Sequence, residues 1–321
     1  MKLNFLRAAA CAGMIPALAA CAILGGSDTD SHPPLGPVPT PSSLDPAGIT
    51  TPLDAYLPAP EENYALKKAR VTLVNQCMRG LGYTENPQPL GPFTGERWLE
   101  HTEFNVMPLG QAQQYGYQAP PKKSGGGTES AYSKNSTETQ GLLLSGKVRT
   151  FNNKKVPKGG CEGEALRVIT KGATTPTEVK LPGGSTAGSG EGGFSEGFAE
   201  MVVSAMRGEA MKRTRNDPRF QKVMDSWADC MKGRGYTYDS PSAAVNDSRW
   251  EENSGSPTRT ELSTATADTQ CKTKVNYLGV GIAVESAYEK KSIDENAELL
   301  ADLKSWTSKW IENANNAIQG T

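Results

Sequence analysis

Histidine is nearly missing from this chain: His32 and His101 are the only two, and no Cys-x-x-Cys pair occurs. Structural zinc sites draw on cysteine and histidine at short spacings, so the sequence offers no metal site, and no cofactor is implied. A serine hydrolase of the elbow type needs a histidine downstream of its nucleophile. That requirement removes the Gly-x-Ser-x-Gly match of Gly193 to Gly197, whose Ser195 reads instead as the cap of a helix carrying Phe198, Met201 and Val202. Gly141 to Lys147 has the spacing of a phosphate-binding loop, but Val148 stands where a magnesium-binding Ser or Thr is required. An excess of positive charge is also lacking. Lysine and arginine number 34 against 35 acids, so nucleic acid is not an expected partner.

Long apolar runs are absent too. The apolar stretch that starts at Ala8 contains Pro16 and is too short to span a bilayer as a permanent helix. It lies between the basic Lys2 and Arg7 and the small residues Leu18-Ala19-Ala20, and this is the layout of an export signal. Leu-Ala-Ala-Cys resembles the lipobox of bacterial lipoproteins, in which the cysteine accepts a diacylglyceryl group and becomes the first mature residue. The alternative is an ordinary signal peptide beside a chance cysteine. The lipobox reading makes Cys21 the lipidation site, gives the membrane as a partner through that lipid, and places the protein on the outer face of the plasma membrane.

Four cysteines remain in the mature chain: Cys77, Cys161, Cys230 and Cys271. An even number in an exported protein favours two disulfides, with three connectivities open. Cys77-Met78-Arg79-Gly80-Leu81-Gly82-Tyr83 matches Cys230-Met231-Lys232-Gly233-Arg234-Gly235-Tyr236, and each copy is followed by an Arg-Trp pair, Arg97-Trp98 and Arg249-Trp250. Such self-similarity suggests an internal duplication. A pairing that respects it joins Cys77 to Cys161 and Cys230 to Cys271. The crossed alternative ties Cys77 to Cys230 and Cys161 to Cys271.

The pattern therefore predicts a mainly α fold: two related, disulfide-linked helical halves with long loops, a C-terminal long helix or helix pair, and little β structure. Residues 1–20 read as the signal peptide and 21–58, rich in Pro, Ser, Thr and Gly, as a flexible tether from the lipid. Residues 59–171 form the first half, 172–193 a Gly-rich linker, and 194–321 the second half. Both Cys-Met motifs close amphipathic helices, the second starting at Asp217-Pro218 and buried through Phe220, Val223, Met224, Trp227 and Met231. Leu142 to Phe151 reads as a strand or short hairpin. Thr258 to Glu261 is a capping box for a helix carrying Leu262, Cys271, Val275, Leu278 and Ile282, weakened at Gly279 and Gly281. A second box, Ser292 to Glu295, either starts a new helix with Leu299, Leu303, Trp306 and Trp310 or lies inside an unbroken one.

Candidate chemistry is sparse. Glu96, Glu100, His101 and Glu103 form a compact acidic group that reads first as a solvated helix face. The Arg-Trp repeats read first as buried tryptophans with arginines paired to carboxylates. A ligand pocket built by Trp98, Trp250, Arg97 and Arg249 is the functional alternative.

Together these residues resemble a group of exported or lipid-anchored actinobacterial proteins of uncharacterised activity. The resemblance rests on both Cys-Met and Gly-Tyr motifs, on Tyr115-Gly116-Tyr117, on Val156 to Ala165, on Trp227, and on Ala267-Asp268 with Cys271-Lys272. It covers most of residues 61–300 and implies an extracytoplasmic location, with no activity to transfer. The expected function is that of a non-catalytic envelope protein binding a partner protein, cell-wall polymer or small ligand. The alternative is an enzyme acting on cell-wall glycans through paired carboxylates, a chemistry that needs no histidine.

Overall fold

Pro60 and the acids Glu61 and Glu62 open the first long helix, α1 (Pro60–Gly80), in a computed structural model that describes residues 32–40, 49–95, 104, 106–120, 137–173, 175–188, 197–253 and 256–320. A proline suits the first helical position because its missing N–H has no partner there anyway. Glu62 accepts from the Ala59 amide at 2.8 Å, which satisfies one group at the helix start. Leu66, Ala69, Val74 and Met78 form the buried stripe, and the helix stops where Gly82 takes a φ of 85°.

Nine more α-helices follow among the described residues: α2 (Leu109–Tyr115), α3 (Glu138–Ser145), α4 (Gly160–Ile169), α5 (Phe198–Arg215), α6 (Pro218–Lys232), α7 (Pro241–Val245), α8 (Arg259–Lys274), α9 (Tyr277–Glu295) and α10 (Ala297–Gln319). Helix accounts for 62% and strand for 4%, so the fold is mainly α. The strands form two antiparallel hairpins, β1 (Thr150–Phe151) with β2 (Lys154–Lys155) and β3 (Glu178–Lys180) with β4 (Thr186–Gly188).

Each helical half carries its own disulfide, Cys77–Cys161 and Cys230–Cys271, so the expected uncrossed pairing is the one present. The two motif copies also leave their helices alike. Tyr83 N–H donates to the Met78 carbonyl and Tyr236 N–H to that of Met231, while Gly82 and Gly235 adopt φ of 85° and 88°. Those bonds and positive φ values are the marks of a glycine-terminated helix end. The partner cysteines differ in placement. Cys161 lies in the first turn of α4, and Cys271 in the last turn of α8.

The halves share their largest core. Leu66 and Ile169 from the first half pack with Phe198, Met206, Leu303 and Trp310 from the second, because α10 lies against both α1 and α4. The described residues from Pro33 to Gly320 accordingly form one compact unit. The Gly-rich segment 172–193 also contributes: its hairpin buries Val179, Leu181 and Ala187 in the same core.

The Pro-rich segment departs from a free tether wherever it is described. Leu53, in a 3-10 turn (Pro52–Tyr56), is fully buried, a burial that stabilises by roughly 1.5–3 kcal/mol. Its amide donates to Glu289 at 3.0 Å, and Arg207 bridges Glu289 at 3.2 Å and Asp54 at 2.8 Å. Further upstream, Arg219 donates to the Pro33 carbonyl and Asn276 to that of Pro39. Composition suggested an unpaired spacer; the long-range partners that dock it lie more than 150 residues away.

Four local expectations change. Leu142 to Ser145 close helix α3 rather than open a strand, and the hairpin begins at Thr150, where Asn152 and Asn153 supply the positive φ values of a tight turn. The helix started by Thr258 ends at Lys274, and Asn276 at φ 51° makes the break ahead of Gly279. Helix α9 then runs through Ser292 and breaks at Asn296, so the second capping box is helix interior. The residue at the N-cap of α5 is Gly197, and Ser195 lies outside the described residues.

Candidate functional site

Thr258 caps α8 by accepting from the Glu261 amide, at 3.0 Å, which leaves the Glu261 side chain free to turn inward. There its Oε1 accepts from the Tyr117 amide at 3.1 Å. The approach is close enough that a Cβ on Gly116, whose φ is 63°, would stand 2.7 Å from that oxygen. Glycine is therefore required, and the Gly116–Glu261 contact fixes where Tyr117 projects.

Tyr117 projects beside Asp268, about two turns beyond Glu261 along α8. Asp268 and Lys272 sit at i and i+4, the spacing at which helix side chains meet, and Lys272 Nζ donates to Asp268 Oδ2 at 2.9 Å. Trp227 of α6, fully buried, donates its indole N–H to the other carboxylate oxygen at 2.9 Å. Lys272 Nζ also lies 5.7 Å from the Tyr277 ring centroid. The pair is buried, at 8% and 4% side-chain exposure, so removing either partner alone would strand a charge away from water.

These groups lie along a cavity of about 800 Å³, in the range of small-molecule sites. Its apolar wall is Phe104, Phe220, Met224 and Tyr277; Ser240, Ser242 and Asn246 bring hydroxyl and amide groups from around α7. Phe104 stacks edge-on with Phe220 at 5.2 Å between centroids, a favoured arrangement of aromatic rings. Among the described lining residues, the charged groups are Asp268, Lys272 and Arg215.

The electrostatics follow from burial. Loss of water raises the Asp268 carboxyl above its ordinary range, while Lys272 and Trp227 favour its charged form. Burial first, and then the Asp268 charge, push the Tyr117 phenol far up, so it remains a neutral hydroxyl. Tyr277 is pushed up to about 12 by the same two causes. The Tyr117 oxygen is itself buried, and its hydroxyl lies close enough to Asp268 to favour that carboxyl's charged form too.

Of the residues expected to form a pocket, Trp250 and Arg249 do not line this one. Trp250 is buried behind Tyr117, 6.1 Å between ring centroids, with its indole N–H bonded to the Ala244 carbonyl. Arg249 grips Asp247 on the surface and lies 5.1 Å above the Trp250 ring. Hydrogen bonds from Arg249 and Tyr238 hold the Asp247 carboxyl well below its usual range. The structural reading of the Arg-Trp motif therefore applies to this copy, since an indole bonded to a carbonyl has no donor left for a ligand. Arg97, Trp98, Glu96, Glu100, His101, Glu103 and Cys21 lie outside the described residues.

The phosphate-loop match is used in packing. Gly146 takes φ 69° to end α3, and a Cβ on it would collide with the backbone at Gly160. The residues that do line the cavity were visible as motif fragments only: Asp268 and Lys272 share the i,i+4 spacing of an ion pair on a helix that also carries a disulfide. Their burial depends on Trp227 and Tyr117, which lie 41 and 151 positions before Asp268. No protein-family model, curated protein or solved structure matches the chain.

Proposed function

We propose that this protein is an exported lipoprotein, held by acyl chains on Cys21 at the outer face of the plasma membrane, that binds a small molecule in the Asp268 cavity. The observation that carries the binding reading is the state of its carboxylate. Asp268 is already satisfied by Lys272 and Trp227. Glycoside hydrolysis through paired carboxylates needs two of them across a cleft, roughly 5–9.5 Å apart. Among the described lining residues Asp268 is the only one. The two disulfides are in keeping with an oxidising compartment outside the cytoplasm.

The test is purification from the native envelope followed by mass spectrometry of the intact protein and of its extracted small molecules. An acylated Cys21 terminus, abolished in Cys21→Ser, is expected. A bound small molecule should be present in the wild type and lost in Val245→Trp, which places a bulky ring at the exposed mouth of the cavity. An unmodified terminus at another residue would refute lipidation. Release of reducing ends from cell-wall glycan by the purified protein would replace the binding reading with the enzyme.

A further inference from the structure

We infer that a second site lies on the opposite face of α8 from the Asp268 cavity: an open groove that takes one strand of a hydroxyl-bearing polyanion, its acidic groups carried on a chain of sugars or polyols. From α8 the cavity takes Ala265, Asp268, Thr269 and Lys272, whereas Arg259, Leu262, Ser263, Thr266 and Gln270 line the groove. At 3.6 residues per turn the second set forms one stripe, about half a turn round from the first. From Arg259 to Gln270 that stripe runs for about 16 Å at 1.5 Å per residue. Gln113 of α2 flanks it, as do Arg234 and Tyr236 from the turn that ends α6, and the groove has a volume of about 510 Å³. Such a length suits a chain better than a compact molecule.

Charge decides the sign. Arg259 opens α8 at one end of the stripe, and Arg234 donates to the Gln270 amide oxygen at the other. Among the described residues neither arginine meets a carboxylate, and no acid lines the groove. The acids of α8 are engaged elsewhere: Glu261 and Asp268 are buried, the first on the Tyr117 amide and the second on Lys272 and Trp227. Asp229 and Asp239, the acids nearest to Arg234 in sequence, do not line the groove either. Guanidinium forks recognise carboxylates and phosphates through paired N–H donors. Between the two arginines, the Ser263 and Thr266 hydroxyls donate to α8 carbonyls at 3.0 and 2.7 Å, so each offers its oxygen as an acceptor to a ligand hydroxyl. Gln113 adds an amide that both donates and accepts, and Tyr236 an apolar ring edged by a hydroxyl.

The duplicated motif supplies an independent contrast. In the first copy the residue between the glycines is Leu81, buried in the core, and the Tyr83 hydroxyl is bonded to Thr137 at 2.8 Å. In the second copy the same positions hold Arg234, exposed, and Tyr236, half-buried beside the groove. Both copies end their helices with the same backbone bonds, so helix termination does not call for an arginine at that position.

Calorimetric titration of the full mature protein tests the assignment. The probes are polygalacturonate for a carboxylate source and poly(glycerol phosphate) for a phosphate source, each against an uncharged counterpart, methyl-esterified polygalacturonate and polyglycerol. Polyglutamate at equal charge serves as a polyanion without hydroxyls. At least one of the two hydroxyl-bearing polyanions should bind more tightly than its uncharged counterpart and than polyglutamate, and added salt should weaken it; whichever binds identifies the source. Arg234→Gln and Arg259→Gln should each weaken binding about fivefold. Gln113→Ala should weaken it about threefold and leave polyglutamate unchanged. Lys180→Gln combined with Lys222→Gln removes two exposed charges away from the groove and should leave the affinity within about twofold of the wild type. Equal binding of the uncharged counterparts would overturn the anion, and polyglutamate binding as tightly would overturn the sugar or polyol chain. Wild-type affinity in either arginine variant, or an equal loss in the paired lysine variant, would remove the groove as the place of binding. Binding of neither hydroxyl-bearing polyanion would refute the inference outright. None of these outcomes bears on the Asp268 cavity, whose ligand is followed through Val245→Trp.

Discussion

Replacing Gly279 by alanine tests the docking of the Pro-rich segment, because two effects of opposite sign meet at that position. Gly279 lies in the first turn of α9 with ordinary helical φ, so alanine should stabilise the helix by up to about 1 kcal/mol. Its new Cβ, however, would overlap the Pro39 carbonyl oxygen and come within 2.5 Å of Asn276 Oδ1. That overlap involves backbone, and overpacking of this kind costs about 1–3 kcal/mol. Moving Pro39 away also breaks its bond from Asn276, 3.0 Å long, for roughly 1 kcal/mol more.

The sum predicts that Gly279→Ala destabilises the protein by about 1–3 kcal/mol, read as a lower urea midpoint at unchanged slope. In a chain lacking residues 33–40 the backbone clash is gone and the Asn276 side chain, released from Pro39, can swing aside, so the same substitution should stabilise by up to about 1 kcal/mol. The ordering cost of the segment is moderated by Pro33, Pro34, Pro37 and Pro39, whose φ is fixed before folding. A Gly279→Ala protein as stable as, or more stable than, the wild type in the presence of residues 33–40 would refute the docking.

Removing either disulfide with paired alanines should destabilise the fold, and loops of 84 and 41 residues correspond to about 4.6 and 3.9 kcal/mol in the chain-entropy account; denaturation that leaves either variant within 1 kcal/mol of the wild type would contradict this. Asp217, a buried N-cap, is pushed up by burial but pulled further down by hydrogen bonds from Arg219 and Tyr288, for a net lowering. A lowered folded pKa contributes stability that is present above the ordinary value near pH 4 and is lost as pH falls through the folded value. The melting-temperature gap between wild type and Asp217→Asn should therefore close in acid, and a gap that widens below pH 4 would reverse the sign. Gly82→Ala and Gly235→Ala each force a side chain into left-handed backbone at about 1–2 kcal/mol, but only the first also meets Asn152, 2.9 Å from the added Cβ. Urea midpoints should show Gly82→Ala as the costlier change.

The parts of this fold that sequence discloses are those governed by neighbours a few residues apart. Asp217-Pro218 opens α6, Thr258 caps α8, and the glycines after Met78 and Met231 end their helices, since each depends on backbone groups within one turn. What it hides depends on distant partners. Gly279 and Gly281 look like helix breakers, yet they are small because Pro39 and Phe104 press against α9. Leu53 looks like part of a spacer until Arg207 and Glu289 are placed around it. The cavity follows the same rule: Asp268 and Lys272 are legible as a pair on one helix, but their burial is imposed by Trp227 and Tyr117 from two other segments.

The repeated motif shows where local similarity ends. Both copies bury their methionine, at 5% and 0% exposure, and return the chain through a glycine so that the tyrosine amide reaches that methionine's carbonyl. This arrangement fixes the direction in which the preceding cysteine leaves the helix, and nothing in it fixes what the cysteine meets. In one half the meeting is with the start of α4, across a loop that returns through a hairpin; in the other it is with the end of α8, whose next turns carry the chain to the aromatic wall. The consequence reaches the cavity. Because Cys271 follows Asp268 by three residues and precedes Lys272 by one, the second disulfide holds the very turn of α8 that presents the buried ion pair. Cys161 adjoins Glu162, whose half-exposed ion pair with Arg70 joins the bridge in holding α4 against α1. The first bridge thus secures packing, while the second also sets the position of the polar floor of the Asp268 cavity.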